Sequence, residues 1–100
     1  MSRPKHDWYY HAVRQIRKYP DELAREGTLQ ANVWKGAVER TLEHTRKMPD
    51  GDLRVKAVEL RFFDRRYTIE GIAQQIYVSD RTVRRWTQTF VNMTGKEAGY

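Results

Sequence analysis

Apolar side chains recur along this chain at three- and four-residue spacing, the pattern of amphipathic helices. The first helix is predicted to begin after Asp7, its expected N-cap. Its apolar stripe consists of Trp8, Ala12, Ile16 and Tyr19. Pro20 should end this helix, because the proline ring cannot continue the hydrogen-bond ladder. One further short turn is expected before Gly27, a residue type that commonly stops helices.

The longest helical pattern covers residues 28–48. Its apolar face contains Trp34, Val38, Leu42 and Thr45. Gly36 inside this helix costs about 1 kcal/mol relative to alanine, so we interpret it as a point of close approach to another helix. Trp34 and Leu42 lie on a face that a chain of 100 residues would not cover fully. This uncovered face favours a homodimer through the N-terminal helices.

Shorter helices follow after a turn at residues 48–52, which is rich in Pro, Asp and Gly. Asp52 is predicted to cap a helix over residues 53–64 that has Leu53 and Phe63 among its apolar positions.

Two hydroxyl residues mark the starts of the last two helices. Thr68 should cap a short helix over Ile69–Ile76, and Ser79 should cap a final helix that runs from Asp80 to about Asn92.

The fold class that follows is all-α, a small helical bundle with a C-terminal helix-turn-helix. No run alternates with period two, and no turn joins two β-rich stretches. The N-terminal helices occupy residues 1–51 and the helix-turn-helix unit residues 52–93. Residues 94–100 lack apolar periodicity and are expected to fray. A chain of this length favours one compact unit.

Residues 69–88 obey the size rules of a helix-turn-helix, in which two short helices cross at a tight turn. Ala73 lies at the predicted crossing, where only a small side chain fits, and Val78 is the apolar residue that fixes the turn. The predicted core faces of the two helices contain Ile72, Ile76, Val83 and Trp86. Tyr77 departs from the pattern, since glycine is preferred at that position for its positive φ.

The outward face of the last helix has the residue types that read DNA. Arginine binds guanine and glutamine binds adenine through paired hydrogen bonds in the major groove. The helix N-terminus at Ser79 offers free amides to a phosphate. The face consists of Asp80, Arg81, Thr82, Arg84, Arg85 and Gln88. Further phosphate contacts are expected from Arg65, Arg66 and Lys56.

Charge and composition point to a polyanionic partner. The net charge is +6 and the isoelectric point near 9.8, values that favour nucleic acid over a merely basic surface. No apolar run reaches the roughly 18 residues that a spanning helix needs, and no apolar signal region follows the basic N-terminus. We therefore expect a protein of the cytosol. Cysteine is absent, which excludes disulfides and thiolate metal sites.

No catalytic or metal-binding set is assembled in the sequence, so we expect neither an enzyme nor a cofactor. His6 and His11 are five residues apart, which is the wrong spacing for two ligands on one helix face. Trp8, Tyr9 and Tyr10 form an aromatic cluster near basic residues, including Arg14 and Arg17. Such a cluster stacks single-stranded bases in some proteins, but packing of Trp8 into the core with tyrosines at its rim is the favoured interpretation.

The C-terminal unit resembles region 4 of bacterial sigma factors, and more specifically the small phage transcriptional activators of the RinA/ArpU type. The resemblance is carried by Leu53-Arg54-Val55, Glu59-Leu60-Arg61-Phe62, Thr68-Ile69-Glu70-Gly71-Ile72-Ala73 and Val78-Ser79-Asp80-Arg81-Thr82-Val83-Arg84-Arg85. The order of Tyr19-Pro20, a long second helix and the C-terminal unit also follows those activators, so the resemblance covers most of the chain.

The resemblance implies a regulator of phage or prophage late genes in a bacterial host, with base recognition by the residues that match the family's second helix. Those residues are Arg81, Thr82, Arg84, Arg85 and Gln88. Two alternatives stay open: a small terminase-like DNA packaging adaptor that forms a ring, and a sigma-like module that docks on host RNA polymerase. Single sigma-like units bind DNA as one part of a larger assembly, which argues against a dimer.

Overall fold

The computed structural model describes residues 8–100, which form six α-helices, a π-helical segment and no strand. The predicted all-α class is therefore confirmed. The predicted cap Asp7 lies outside the described residues. The helices are α1 (Trp8–Arg17), α2 (Asp21–Glu26), α3 (Leu29–Arg46), α4 (Gly51–Val58), α5 (Ile69–Ile76) and α6 (Asp80–Glu97), and the π segment (Glu59–Asp64) continues directly from α4.

Two of the predicted helix starts, after Thr68 and Ser79, have the expected caps, and Thr28 caps α3 in the same way. The hydroxyls of Thr28, Thr68 and Ser79 each accept a hydrogen bond from the backbone amide three residues further on, at 3.0 to 3.1 Å. Each of these bonds satisfies one of the amides that a helix start leaves without a partner. Gly27 ends α2 in the left-handed conformation with φ of 63°, as its position predicted.

The main core lies between α1, α3, α4 and the second half of α6. It contains Ala12, Ile16, Trp34, Val38, Phe90 and Val91, all of which are almost completely buried. Trp34 is 0% exposed and Leu42 7% exposed within the chain. The apolar face of α3 is thus covered by the chain's own helices, and it no longer gives a reason to expect a homodimer.

A second cluster joins α4, the π segment, α5 and the first half of α6. Its buried members are Ala57, Leu60, Ile72, Ala73, Ile76, Val83 and Trp86. α6 takes part in both clusters, because Val83 and Trp86 belong to the second while Phe90 and Val91 belong to the first. The outward face of α6 is therefore held in place from both ends of the helix.

The predicted frayed tail is wrong, because α6 continues past Asn92 to Glu97. Thr94 is fully buried, and its hydroxyl donates a hydrogen bond to the carbonyl of Phe90 at 2.8 Å. Gly95 packs directly beneath the ring of Trp8, where a Cβ atom would overlap the indole. The ring of Tyr100 is centred 6.1 Å from that of Trp8 and stacks on it. Small side chains are needed at this crossing, so the buried turn shows no apolar periodicity.

The start of α4 also differs from the prediction, since Asp52 does not cap it. The helix begins at Gly51, and Asp50 precedes it with a left-handed φ of 58° and no side-chain capping bond. A Cβ atom on Gly51 would overlap the backbone carbonyl of Arg46, so the close turn requires glycine. Leu53, which was expected in the core, is 38% exposed.

The predicted continuous helix over residues 53–64 changes to π-helical hydrogen bonding at Glu59. In this segment Leu60 packs into the second cluster and Phe62 into the main core. The segment thus divides neighbouring apolar side chains between the two clusters. Phe63 is half-buried against Tyr19, with ring centroids 5.5 Å apart.

Gly36 does not mark a helix crossing, contrary to its interpretation in the sequence. A Cβ atom there would meet only the guanidinium end of Arg40 on the same helix, at 3.0 Å. The glycine at a close crossing is Gly95. In the part of the chain that is described, no helix combines the length and the apolar character needed to cross a membrane.

Candidate nucleic-acid interface

α5 and the start of α6 pack as the size rules of the sequence require. Ala73 is buried where the two helices meet, and Val78 in the connection is half-buried against the second cluster. Tyr77 ends α5 with φ of 59° and ψ of 46°, so the residue in the expected glycine position does adopt a positive φ. The unit thereby fixes the direction in which the start of α6 presents its polar side chains.

Four polar residues share the exposed face of α6. Arg81, Arg84, Arg85 and Gln88 are all exposed, and their spacing of three and four residues places them on one side of the helix. Within residues 8–100 none of these arginines forms a salt bridge. Three guanidinium groups are therefore available together to an outside anion or base edge.

At the N-terminus of α6, the side chain of the capping residue Ser79 already bonds to one of the free backbone amides. The hydroxyl of Ser79 accepts a hydrogen bond from the amide of Thr82 at 3.1 Å and lies 2.9 Å from the Thr82 hydroxyl. Thr82 is half-buried, whereas Asp80 is exposed in the first turn. The Asp80 carboxylate adds negative charge where a phosphate would approach, so this end of the helix is a weaker anion site than the sequence indicated.

Arg65 and Arg66, predicted together as phosphate contacts, have different surroundings. Arg66 forms a salt bridge with Asp64, and its guanidinium lies 5.8 Å from the centre of the Tyr67 ring. The hydrogen bond from Arg66 holds the pKa of Asp64 below its usual value. Arg65 is exposed with a left-handed φ of 63° and forms no salt bridge within the described chain. Lys56 is likewise exposed and without a salt bridge there.

A cleft of about 630 Å³ lies between α1, the π segment and α6. Its lining is strongly basic and draws on helices that are far apart in sequence. The basic residues are Arg14, Arg17, Lys18, Arg61, Arg65 and Arg84, and Glu22 is the lining carboxylate. Lys18 is bonded to Glu26 at 2.9 Å, but no salt bridge within residues 8–100 neutralises the five arginines. We call this feature the basic cleft.

The basic cleft joins residues that sequence reasoning had not connected. Arg84, Gln88 and Arg65 were predicted to bind DNA, and all three line the cleft. In the sequence, Arg14 and Arg17 stand out only as neighbours of the aromatic cluster, and Arg61 only within the segment that resembles sigma region 4. The positive charge of these residues was visible in the sequence, but their grouping depends on how α1 packs against the π segment and α6.

The aromatic cluster at the start of α1 is mainly a packing element. Trp8 and Tyr9 are half-buried against the main core, whereas Tyr10 is 64% exposed. Burial raises the pKa of the Tyr9 phenol, the nearby Tyr10 raises it further, and the positive charge of Arg61 opposes both effects. One exposed ring remains beside the cleft, which is a small surface for stacking bases.

The two histidines among residues 8–100 do not line this cleft. His11 packs edge-on against Trp34, with ring centroids 5.5 Å apart, and His44 is exposed on α3. His6 lies outside the described residues. Among residues 8–100 no group of three or more His, Asp or Glu side chains could hold a metal ion.

Comparison with known proteins gave no match: no protein family, no curated protein and no solved structure is significantly similar to this chain.

Proposed function

We propose that this protein is a sequence-specific DNA-binding transcriptional regulator of the bacterial cytoplasm that reads the major groove with the first half of α6. The observation that carries the proposal is the exposed face of Arg81, Arg84, Arg85 and Gln88, which forms no salt bridge among residues 8–100. Both base-reading residue types are present on it at helical spacing. The resemblance to RinA/ArpU-type activators further suggests a phage or prophage late-gene activator with a sigma-like helix-turn-helix.

The packing of α6 supports this proposal. Val83 is fully buried and Trp86 is 5% exposed, so the helix cannot rotate without exposing apolar surface. The guanidinium of Arg54 lies 5.3 Å from the centre of the Trp86 ring and adds to its fixation. A reading helix that is held rigidly loses little conformational entropy when it binds, which favours discrimination between base sequences.

Selection from a random duplex pool at moderate salt tests this function. Sequencing of the bound duplexes should give a recurring motif, because arginine and glutamine contacts to base edges depend on sequence. Two inverted copies about one helical turn apart would indicate that the protein binds as a two-fold dimer. A surviving pool that stays random would contradict sequence-specific recognition.

The double variant Arg84→Ala with Arg85→Ala should bind the selected duplex no better than a random one. Both side chains are exposed and alanine favours helices, so the far-UV circular dichroism should not change. Fluorescence anisotropy with labelled duplexes measures the difference. The matched control is Arg46→Ala with Lys47→Ala, which removes two exposed positive charges from the end of α3. Equal sequence preference in both double variants would show that Arg84 and Arg85 of α6 do not recognise bases.

Mass in solution separates this proposal from the packaging alternative that uses the same surface. A monomer or dimer is expected for the regulator, whereas a ring of about eight or more subunits would favour a terminase-like adaptor. Retention on host RNA polymerase without measurable DNA affinity at low salt would favour the polymerase-docking module.

A further inference from the structure

We infer that the basic cleft holds one sugar–phosphate strand of the bound duplex, so that α1 is part of the DNA interface. This inference rests on the proposed duplex binding and extends it to a helix that the helix-turn-helix does not include. Its partner is the phosphate backbone, which carries no base sequence. The cleft would therefore supply affinity and register, while α6 supplies the choice of sequence.

The relative position of α6 and the cleft is the first reason. A helix that lies in the major groove has a sugar–phosphate backbone on each side of it. Arg84 and Gln88 belong both to the exposed face of α6 and to the wall of the cleft. The backbone on that side of α6 would then pass along the cleft, whose lining also includes Arg14 and Arg17 of α1.

The charge of the cleft is the second reason. Five arginines from four parts of the chain converge on it, and Glu22 is the lining carboxylate. Like charges held close together repel one another, and an anion between them relieves that repulsion. Arginine is well suited to this role, because its planar guanidinium donates two parallel hydrogen bonds to a phosphate.

A duplex backbone fits the cleft better than a single strand stacked on aromatic rings. Stacking requires exposed ring faces, but Tyr9 is half-buried and packs edge-on against Tyr10, with centroids 5.8 Å apart. Of the rings that line the cleft among residues 8–100, only that of Tyr10 is largely exposed. The five arginines thus provide the charged groups that a nucleic acid would contact there.

The test is the salt dependence of binding to a random-sequence duplex by the double variant Arg14→Ala with Arg17→Ala. Each phosphate contact contributes about −0.9 to the slope of log K against log salt concentration. Loss of two contacts should make the slope shallower by about 1.8, so the affinity lost in a fourfold rise in salt becomes about twelvefold smaller. Affinity at low salt should also fall, while the base motif found by selection stays the same.

Two further proteins complete this experiment. Arg46→Ala with Lys47→Ala removes the same charge away from the cleft and should keep the wild-type slope. Arg14→Gln with Arg17→Gln removes the charge while it keeps longer side chains on α1, and it should reproduce the effect of the alanine pair. A wild-type slope in the cleft variants, with circular dichroism unchanged, would overturn the inference. Binding that prefers single strands and is lost in Tyr10→Ala would also overturn it.

The outcomes keep this inference separate from the proposed function. Random-duplex binding that depends on Arg14 and Arg17 but gives no selected motif would support the role of the cleft and contradict base recognition by α6. A selected motif that depends on Arg84 and Arg85, together with an unchanged slope in the cleft variants, would contradict phosphate binding in the cleft but support base recognition by α6. Absence of duplex binding by the wild type even at low salt would overturn both.

Discussion

Three non-glycine residues among residues 8–100 adopt the strained left-handed backbone conformation. Asp50, Arg65 and Tyr77 adopt φ of 58°, 63° and 59°, although each carries a Cβ atom. This conformation costs a non-glycine residue about 1–2 kcal/mol. Each of the three lies at the boundary of a helix, where a sharp change of chain direction is needed. Asp50 and Arg65 have polar side chains, whereas Tyr77 places an aromatic ring in solvent.

Replacement of Tyr77 by glycine should raise the free energy of unfolding by about 1 kcal/mol, since glycine adopts positive φ without steric cost. Little packing is lost, because the Tyr77 side chain is 93% exposed. Urea denaturation followed by circular dichroism measures the change. Tyr77→Ala is the matched control: it removes the same ring but keeps the Cβ atom, so it should leave stability almost unchanged. Equal stability of the two variants would show that the turn is not strained.

At the scale of elements, two helical glycines have opposite roles. Gly95 lies at the crossing of α6 with α1, beneath the ring of Trp8, whereas Gly36 lies in α3 with only a flexible arginine end near it. A helix interior by itself favours alanine over glycine by about 1 kcal/mol. The packing around each glycine therefore decides whether its replacement by alanine raises or lowers the free energy of unfolding.

Gly95→Ala should lower the free energy of unfolding by about 1–3 kcal/mol, the range typical of overpacked cores, because the new methyl group displaces the Trp8 ring. Gly36→Ala should instead raise it by up to about 1 kcal/mol. Movement of Arg40 disturbs its exposed ion pair with Glu97 and a long hydrogen bond to the Glu97 carbonyl, both of which contribute little to stability. Thermal and urea unfolding of the two variants measures whether each free energy of unfolding falls or rises as expected. A stabilised Gly95→Ala protein would support a frayed C-terminal turn instead.

At the scale of the whole molecule, α6 connects the two core clusters. Trp34 lies in the main core and Trp86 in the second cluster, and α6 contributes buried side chains to both. The radius of gyration is 13.2 Å, close to the roughly 13 Å of a compact domain of 100 residues. Disruption of one cluster exposes apolar side chains of α6. Because α6 also packs in the other cluster, that cluster should be destabilised as well.

We expect the two clusters to unfold together. In a urea titration followed by NMR, the native indole N–H signals of Trp34 and Trp86 should disappear with the same midpoint. Ile72→Ala, a change in the second cluster, should move both midpoints down by the same amount, with a loss of about 2–5 kcal/mol. Val38→Ala in the main core provides the reciprocal variant. Separate midpoints for the two tryptophans would mean that the clusters are independent units.

Features that depend on contacts between neighbouring residues could be predicted from the sequence. The caps at Thr68 and Ser79 and the buried positions around Ala73 were predictable, because each depends on contacts a few residues apart. The positive φ at Tyr77 also followed from its place in the turn. The exposure of the arginine face of α6 could be predicted for the same reason, since helical spacing sets which side chains lie opposite the core.

Tertiary structure alone decided the features in which distant segments meet. The buried turn at Thr94 and Gly95 escaped the pattern because a close helix crossing selects small side chains, which carry no hydrophobic signal. The change to π-helical hydrogen bonding at Glu59 was not visible in the apolar pattern, and in that segment Leu60 packs into one cluster and Phe62 into the other. The basic cleft arises in the same way. Its arginines come from α1, the π segment, Arg65 after that segment, and α6, so the charge was present in the sequence but its convergence depends on helix packing.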